Sequence, residues 1–449
     1  MIEQSWPRRP ALVFGAGLTR LINHRAFVPL CLGAAIVLRL AWVALVTPQP
    51  VSDFRWYYER ASELTSGQGY SVTAATYWPE YMIPPVLLSP ASGRAPTAFW
   101  PVGYPAFLAL IFTATGPSLL AAKLANVALS AGVLLLSYRI AARLFASRLV
   151  AGGTLLLLSF YPDHIAYSSL LSAEILFLFL LLLGVALLLT RPGAGSMLAA
   201  GVVFGLACLV KPQAIALPAL CLLALRWHPP RQKFGGRHAI LLYLALGLTL
   251  LPWLIRNYRA FDQFVFIANN AGYNLYLGNN PQATGGYSLT QAMIDQFSAI
   301  PGEAERNRQA QALALAYMQS HPLETLALWP AKLWYLYGKD IRGVFWNEYG
   351  LNLTDHGRRW FAALKIGAQL YYAGVLVAGG LALLNLWRAR RQTPIPLLGL
   401  WLCLYFTLIH LLTFGESRFH FPLMPWLMMF AATLLLKFSR EIDYESRPQ

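Results

Sequence analysis

Charged residues are scarce in this 449-residue sequence. Asp, Glu, Lys and Arg together make up 12%, against about 25% in an ordinary globular domain. Acidic residues are the scarcest, 19 against 35 Lys plus Arg. With so little charge and 57% hydrophobic residues, the two or three water-soluble domains that this length would otherwise imply are excluded. Cysteine is nearly missing as well. Cys31, Cys208, Cys221 and Cys403 each sit inside an apolar run with no metal-ligand spacing between any pair, so they read as small hydrophobes in helices. No internal repeat and no low-complexity segment occurs. A cleaved leader is not indicated either, because about 25 mostly polar residues precede a first apolar run that is itself span-length.

What is present in abundance is apolar sequence in blocks. A helix needs about 20 apolar residues to cross about 30 Å of hydrocarbon. Hydropathy places spans near 26–46, 117–138, 148–162, 164–189, 197–210, 212–226, 238–256, 360–387, 394–413 and 419–437. The stretches 100–114 and 322–337 are ambiguous by length. Positive charge decides between them, since cytoplasmic loops collect Lys and Arg. If 100–114 lies flat at the interface, Arg8, Arg9, Arg20 and Arg25 fall on one side together with Arg139, Arg143 and Arg148, Arg191, the Arg226–Arg231–Lys233–Arg237 loop, Arg388, Arg390, Arg391, Lys437 and Arg440. If it crosses, every later basic loop inverts.

The expectation is therefore an all-α polytopic membrane protein with about ten spans, within a range of 10–13, and both termini cytoplasmic. Three parts are expected: 1–256 with a first external loop at 47–116, a large external loop at 257–359, and 360–449. The stretch 302–320 reads as a helix. The stretch 322–337, with Trp329, Trp334, Tyr335 and Tyr337, reads as interfacial. The same loop asymmetry accounts for the net charge of +16. Nucleic acid is not an expected partner, because no basic run is interleaved with polar or aromatic residues on a soluble element.

On this topology Arg39, Lys123, Lys211, Arg256, Lys365 and Arg418 all fall in the outer halves or at the outer ends of spans. Glu174 does too, and Asp163 and Glu416 stand at outer turns. An ionisable group in hydrocarbon costs about 2.5–3.5 kcal/mol on insertion scales. Snorkelling explains each cation singly, but not why none lies at the cytoplasmic ends of the same spans. A cationic cavity open to the outer leaflet, suited to an anionic lipid headgroup, explains the asymmetry.

Six motifs follow one another in a familiar order: Val51-Ser52-Asp53-Phe54-Arg55-Trp56-Tyr57-Tyr58 with Gly67-Gln68-Gly69-Tyr70; Trp100-Pro101-Val102-Gly103-Tyr104-Pro105; Tyr161-Pro162 with Tyr167 and Glu174-Ile175-Leu176-Phe177; Val210-Lys211-Pro212; Leu277-Gly278-Asn279-Asn280-Pro281 with Gly285-Gly286; and Glu416-Ser417-Arg418-Phe419-His420-Phe421-Pro422. Through them the chain resembles the polyprenyl-phosphate-sugar-dependent glycosyltransferases of the C-type superfamily, most nearly the bacterial branch related to protein O-mannosyltransferases and the aminoarabinose transferase of lipid A. The second motif departs from the usual double proline. Where some relatives carry two adjacent acids, Asp53 is followed by Phe54, with Glu59 the next acid.

The resemblance implies transfer of one sugar from a polyprenyl-phosphate donor to a lipid, glycan or protein acceptor. The reaction would be an inverting displacement at the outer, periplasmic face of a bacterial inner membrane. It implies Asp53 as base and Glu174 as supporting acid, with Lys211, Arg418, Arg256 and Arg39 on the donor phosphate. Arg55, Tyr57, Tyr104, His164, Asn279, Asn280, Glu416 and His420 would line the substrate cavity. A divalent ion, Mg²⁺ or Mn²⁺, between Asp53 and Glu174 fits the same picture, although the sequence gives no closed ligand set. Plainer roles stand beside these: Asp53 as cap of a helix beginning near Arg55, Glu174 as partner of a buried cation, Lys211 as a helix-end cation. A lipid-linked saccharide flippase, an oligosaccharide polymerase or ligase, and a non-catalytic scaffold remain as rival functions.

Overall fold

A computed structural model of the chain describes residues 10–73, 93–190, 193–227, 234–300, 302–388 and 397–436. Of the basic residues used to orient the spans, Arg8, Arg9, Arg191, Arg231, Lys233, Arg390, Arg391, Lys437 and Arg440 lie outside these. The described residues are overwhelmingly helical, and the protein is a polytopic membrane protein. α1 (Pro10–Asn23) and α2 (Phe27–Leu45) lead into the first loop, which holds α3 (Ser52–Thr65), a hairpin of β1 (Ser71–Thr73) and β2 (Arg94–Pro96), and α4 (Gly103–Thr115). The hairpin is antiparallel, with Ser71 opposite Pro96. A helical block follows: α5 (Leu119–Phe145), α6 (Arg148–Ser159), α7 (Pro162–Ala166), α8 (Ala173–Leu188), α9 (Ala194–Val210), α10 (Leu217–Trp227) and α11 (Gly236–Phe261).

The second long segment folds into short helices: α12 (Ala271–Gly278), α13 (Gln291–Ser298), α14 (Glu303–Ser320), α15 (Pro322–Ala327), α16 (Trp329–Tyr337) and α17 (Arg342–Tyr349). α18 (Asp355–Arg388), α19 (Leu397–Leu412) and α20 (Met424–Ala432) complete the described chain.

Four helices, α2, α5, α11 and α18, are long and apolar enough to cross a bilayer unaided. α8, α9, α19 and the 212–227 pair are apolar but shorter. α4 has 13 residues, too few to cross, as an interfacial helix requires. The expected helix at 302–320 is α14. The expected single helix at 322–337 is two, α15 and α16, parted at Leu328.

The expected spans 148–162 and 164–189 are joined differently. Residues 148–169 form two pieces bent by 55°, and α8 begins only at Ala173, not at 164. Pro162 supplies the reason: it has no N–H to give the carbonyl four residues back, so the ladder stops there. In hydrocarbon the freed carbonyls need other donors. Arg39 on α2 supplies them, its guanidinium reaching Leu158 O at 3.2 Å and Ser159 O at 3.0 Å.

Close packing depends on absent side chains, as expected where lipid gives helices no hydrophobic drive to associate. Gly201 and Gly205 on α9 sit against the Leu242 carbonyl and Thr249 of α11, and a Cβ at Gly201 would lie 2.2 Å from that oxygen. The large loop is seated the same way. A Cβ on Gly278 would meet the Thr413 carbonyl oxygen at 1.8 Å, and one on Gly415 would meet the Lys332 carbonyl oxygen at 2.0 Å. These contacts press α12 and α16 onto the end of α19, just before Glu416 and Arg418. Gly415→Ala must push backbone from backbone, so it is expected to lower stability by about 1–3 kcal/mol. A thermal unfolding curve in detergent checks this, and an unchanged midpoint contradicts the packing described.

Candidate active site

Asp53 lies in the first turn of α3. The helix begins at Ser52, not near Arg55, and its cap residue Val51 makes no side-chain bond. Asp53 therefore does not cap it. Its Oδ1 accepts from the Ser52 hydroxyl at 3.2 Å. Its Oδ2 accepts from Arg418 Nη1 at 2.6 Å, which brings together residues 365 positions apart. Arg418 Nε in turn reaches Glu416 Oε2 at 3.0 Å, and the other Glu416 oxygen lies 3.4 Å from Arg342 Nε.

A second pair stands opposite. Glu174 opens α8, where a carboxylate suits the positive end of the helix, and it accepts from Lys211 Nζ at 3.1 Å. Lys211 ends α9 in extended backbone ahead of Pro212. Its ammonium also rides 5.6 Å from the Phe177 ring centre. The two plainer readings of this pair, carboxylate with buried cation and cation at a helix end, are thus both visible in its geometry. Its position still sets it in a cavity wall.

That cavity is about 960 Å³, and Asp53, Glu174, Lys211, Glu416 and Arg418 all line it. Tyr57 joins them from the next turn of α3, with Trp100, Tyr287, Trp334 and Trp346 as aromatic wall. Two cations that sequence reasoning passed over, Lys339 and Arg342, complete the charged lining.

The other expected residues stand elsewhere, most of their polar atoms engaged, although His164 Nε2 is buried without a hydrogen-bond partner. Arg39 is fully buried and serves the bent 148–169 segment, also donating to Ser130 Oγ at 2.6 Å and meeting His164 Nδ1 at 2.8 Å. His164 thereby belongs to the same buried knot and not to a cavity wall. Arg256 donates to Thr97 O at 2.8 Å and to Tyr70 O, closing the end of the β1–β2 hairpin while lying 4.7 Å from the Trp253 ring centre. Arg55 pairs with Glu59 at 2.7 Å on the exposed side of α3. Tyr104 is buried behind Tyr57, its ring 5.3 Å away edge-on, with its hydroxyl toward Asn126.

Asn279 accepts from Lys332 Nζ at 3.0 Å and donates to Leu412 O at 2.7 Å, while Asn280 stabilises its own turn through Tyr276 O and Gln282 N. Burial draws the pKa of Lys332 down to about 8, and with no carboxylate beside it the ammonium also donates to Leu411 O at 2.9 Å. His420 is fully buried, with Nδ1 facing the Leu336 carbonyl and Nε2 3.2 Å from Asp340. Of the remaining outer cations, Lys123 reaches Pro48 O at 3.3 Å and Lys365 pairs with Glu348 at 2.7 Å.

Glu303, which sequence reasoning did not single out, holds the cavity wall from outside. It accepts from Thr97 Oγ1 at 2.7 Å, from the Ala98 amide at 2.8 Å and from Asn269 at 2.9 Å. Burial pushes its carboxyl above the ordinary carboxylate range, with these hydrogen bonds opposing. Together Arg256 and Glu303 fix residues 97–98, so that Phe99, Trp100 and Pro101 enter the cavity. As for a metal, among the described residues no three His, Cys, Asp or Glu side chains gather where they could hold an ion. Asp53 and Glu174 each already hold a cation, so they form no closed ligand set.

The profile of the dolichyl-phosphate-mannose-protein mannosyltransferase family matches residues 112–265. Over 92% of this chain, the structure superposes on ArnT from Cupriavidus metallidurans bound to undecaprenyl phosphate, with a TM-score of 0.51 at 16% identity. Over 93% it superposes on an oligosaccharyltransferase of Archaeoglobus fulgidus in complex with Zn and sulfate, with a TM-score of 0.53 at 14% identity. The chain shares its fold with these two proteins. It spans 61% of the length of ArnT and 51% of that of the oligosaccharyltransferase. No curated protein matches its sequence. The resemblance drawn from the six motifs is thus borne out in the fold.

The division between packing cations and cavity cations is testable. Arg39→Leu leaves the Ser159 carbonyl without its donor and the Leu158 carbonyl with only local backbone amides, Tyr161 N at 3.5 Å among them. It is expected to lower stability by at least about 2 kcal/mol, the penalty for orphaned buried polar groups. The check is thermal unfolding of the purified variant, and a wild-type midpoint would release Arg39 from this role.

Proposed function

We propose that the protein is a membrane glycosyltransferase moving one sugar from a polyprenyl-phosphate donor to an acceptor at the outer face of the inner membrane. The observation that carries this reading is convergence. Asp53, Glu174, Lys211, and the pair Glu416 and Arg418 come from four separate places in the chain and line one cavity. A non-catalytic scaffold has no need of that.

The chemistry asked of them is a single displacement. An acceptor hydroxyl oxygen forms a bond to the anomeric carbon as the bond from that carbon to the phosphate oxygen breaks. The hydroxyl proton passes to Asp53, and the electron pair leaves on the lipid phosphate. A carboxylate positioned on the hydroxyl supports the first event. Fixed cations stabilise the charge that grows on the phosphate, with Arg418 offering two parallel donors and Lys211 a point charge. Glu174 keeps Lys211 aimed at the cavity. Arg39 and Arg256, tied to backbone carbonyls, take no part in this reading. No step is routed through a divalent ion.

The Asp53–Arg418 pair gives the cycle an order. With no donor present, Arg418 occupies the oxygen that must receive the proton. A donor phosphate competes for the same guanidinium and, in drawing it away, frees the carboxylate. The base is thereby exposed when the leaving group is in place.

The test is transfer of radiolabelled sugar from synthetic polyprenyl-phosphate sugars into membrane extracts, for wild type and Asp53→Asn at equal expression. Transfer by the wild type and a loss of about 10²–10⁴-fold in the variant are expected for removal of a general base. Undiminished transfer would remove Asp53 from the chemistry. No transfer from any donor, with labelled lipid instead crossing vesicle membranes, would replace the enzyme by a flippase.

A further inference from the structure

The cavity holds two groups of cations, and the proposed displacement uses one. Lys211 and Arg418 stand with Glu174 and Asp53. Lys339 and Arg342 stand on the external-loop side, on the turn between α16 and α17, and both line the same cavity. Charge is unevenly shared between them. The lining carboxylates are Asp53, Glu174 and Glu416. Arg418 has two of these within 3.0 Å and Lys211 has the third at 3.1 Å. Arg342 has only the far oxygen of Glu416, at 3.4 Å, with its side chain 35% exposed. Lys339 is exposed and has no ion-pair partner among the described residues.

The turn carrying them is built. Gln369 on α18 grips the backbone on both sides of Lys339, donating to Gly338 O at 3.1 Å and accepting from the Asp340 amide at 3.0 Å. Asp340 points away from the cavity into the core, 2% exposed, where it accepts from the Tyr161 hydroxyl. Just past Arg342, the Gly343 amide donates to buried Asp163 at 2.7 Å, and a Cβ on Gly343 would strike the Asp163 backbone oxygen at 2.8 Å. Two nearby carboxylates are thus turned inward, Asp163 onto the Gly343 amide and Asp340 onto the Tyr161 hydroxyl, while Lys339 and Arg342 face the cavity. A freely solvated loop would not need those anchors. Anchoring the backbone that carries the two cations lowers the ordering cost when an anion binds.

We infer that Lys339 and Arg342 form a second anion site, which takes a phosphate carried by the acceptor. This rests on the transferase reading, in which the inner cations are committed to the donor phosphate. A neutral sugar or a peptide hydroxyl would leave Lys339 and Arg342 unanswered, whereas a phosphorylated glycan or lipid would pair with them while its hydroxyl approaches Asp53. Glu416 sits between the two sites, one oxygen to each arginine, and separates the two anions.

The test uses the full-length protein in detergent, saturated with undecaprenyl phosphate, and radiolabelled glucose 1-phosphate as probe, read by equilibrium dialysis against labelled glucose. Wild type should bind the phosphate ester in clear preference to glucose. Lys339→Gln and Arg342→Gln should each weaken that binding by about tenfold and leave the affinity for undecaprenyl phosphate within a factor of about two. Equal binding of glucose and its phosphate would overturn the inference. So would variants that lose undecaprenyl phosphate in place of the probe, because the two cations would then serve the donor. If undecaprenyl phosphate does not bind the wild type at all, the donor reading fails, and the same comparison of probe and variants without it still decides the second site.

Discussion

The structure of this protein turns on one ion pair, Asp53 with Arg418 at 2.6 Å. It ties the first long loop to the segment before the last described helix, across most of the chain. Taking two charges out of water is unfavourable unless geometry and further hydrogen bonds compensate. Here the compensation is extended: Arg418 is shared with Glu416, Glu416 with Arg342, and Glu174 with Lys211 stands opposite. Everything that fixes those positions serves the pair. The glycine contacts at 278 and 415 seat the large loop on α19, and Arg256 with Glu303 fixes the 97–101 segment on the other side.

In this arrangement the cavity neutralises itself. On the proposed reading, each catalytic group is held by the partner that a substrate must displace. A carboxylate and a guanidinium in contact are individually unavailable, the one as a base and the other as a phosphate ligand. A donor phosphate bound as proposed would therefore exchange one anion for another at Arg418 and not desolvate a bare cation. Such an exchange limits the net gain from binding and couples it to the release of Asp53.

The helical architecture was largely legible because apolar block length and Lys/Arg asymmetry are direct consequences of the bilayer. The exceptions have local causes. Pro162 opens a short bent piece that sets the start of α8 back to Ala173, where hydropathy starts a span at 164, and residues 322–337 divide into α15 and α16 at Leu328. Within the site, Asp53, Glu174, Lys211, Glu416, Arg418 and Tyr57 were visible as motifs, and the structure places them together. Arg39, Arg256, Asn279 and His420 were indistinguishable from them by sequence. A cation near the outer end of a span can face a cavity or a backbone carbonyl, and only the fold says which. Arg39 answers carbonyls freed by a proline 123 positions later in the chain, and Arg256 answers the ends of a hairpin. Lys339 and Arg342 were missed for the opposite reason. In a loop of balanced charge two basic residues look ordinary, and their meaning comes from Asp163 and Gln369, which pin the turn from other helices.

The most direct measurement is the affinity of purified protein for undecaprenyl phosphate, wild type against Asp53→Asn. If Asp53 and the donor phosphate compete for Arg418, removing the carboxylate charge tightens binding, by several-fold for a pair in partly solvated surroundings. Weaker binding in Asp53→Asn would contradict the account, because it would mean that the carboxylate supports the phosphate and does not yield to it.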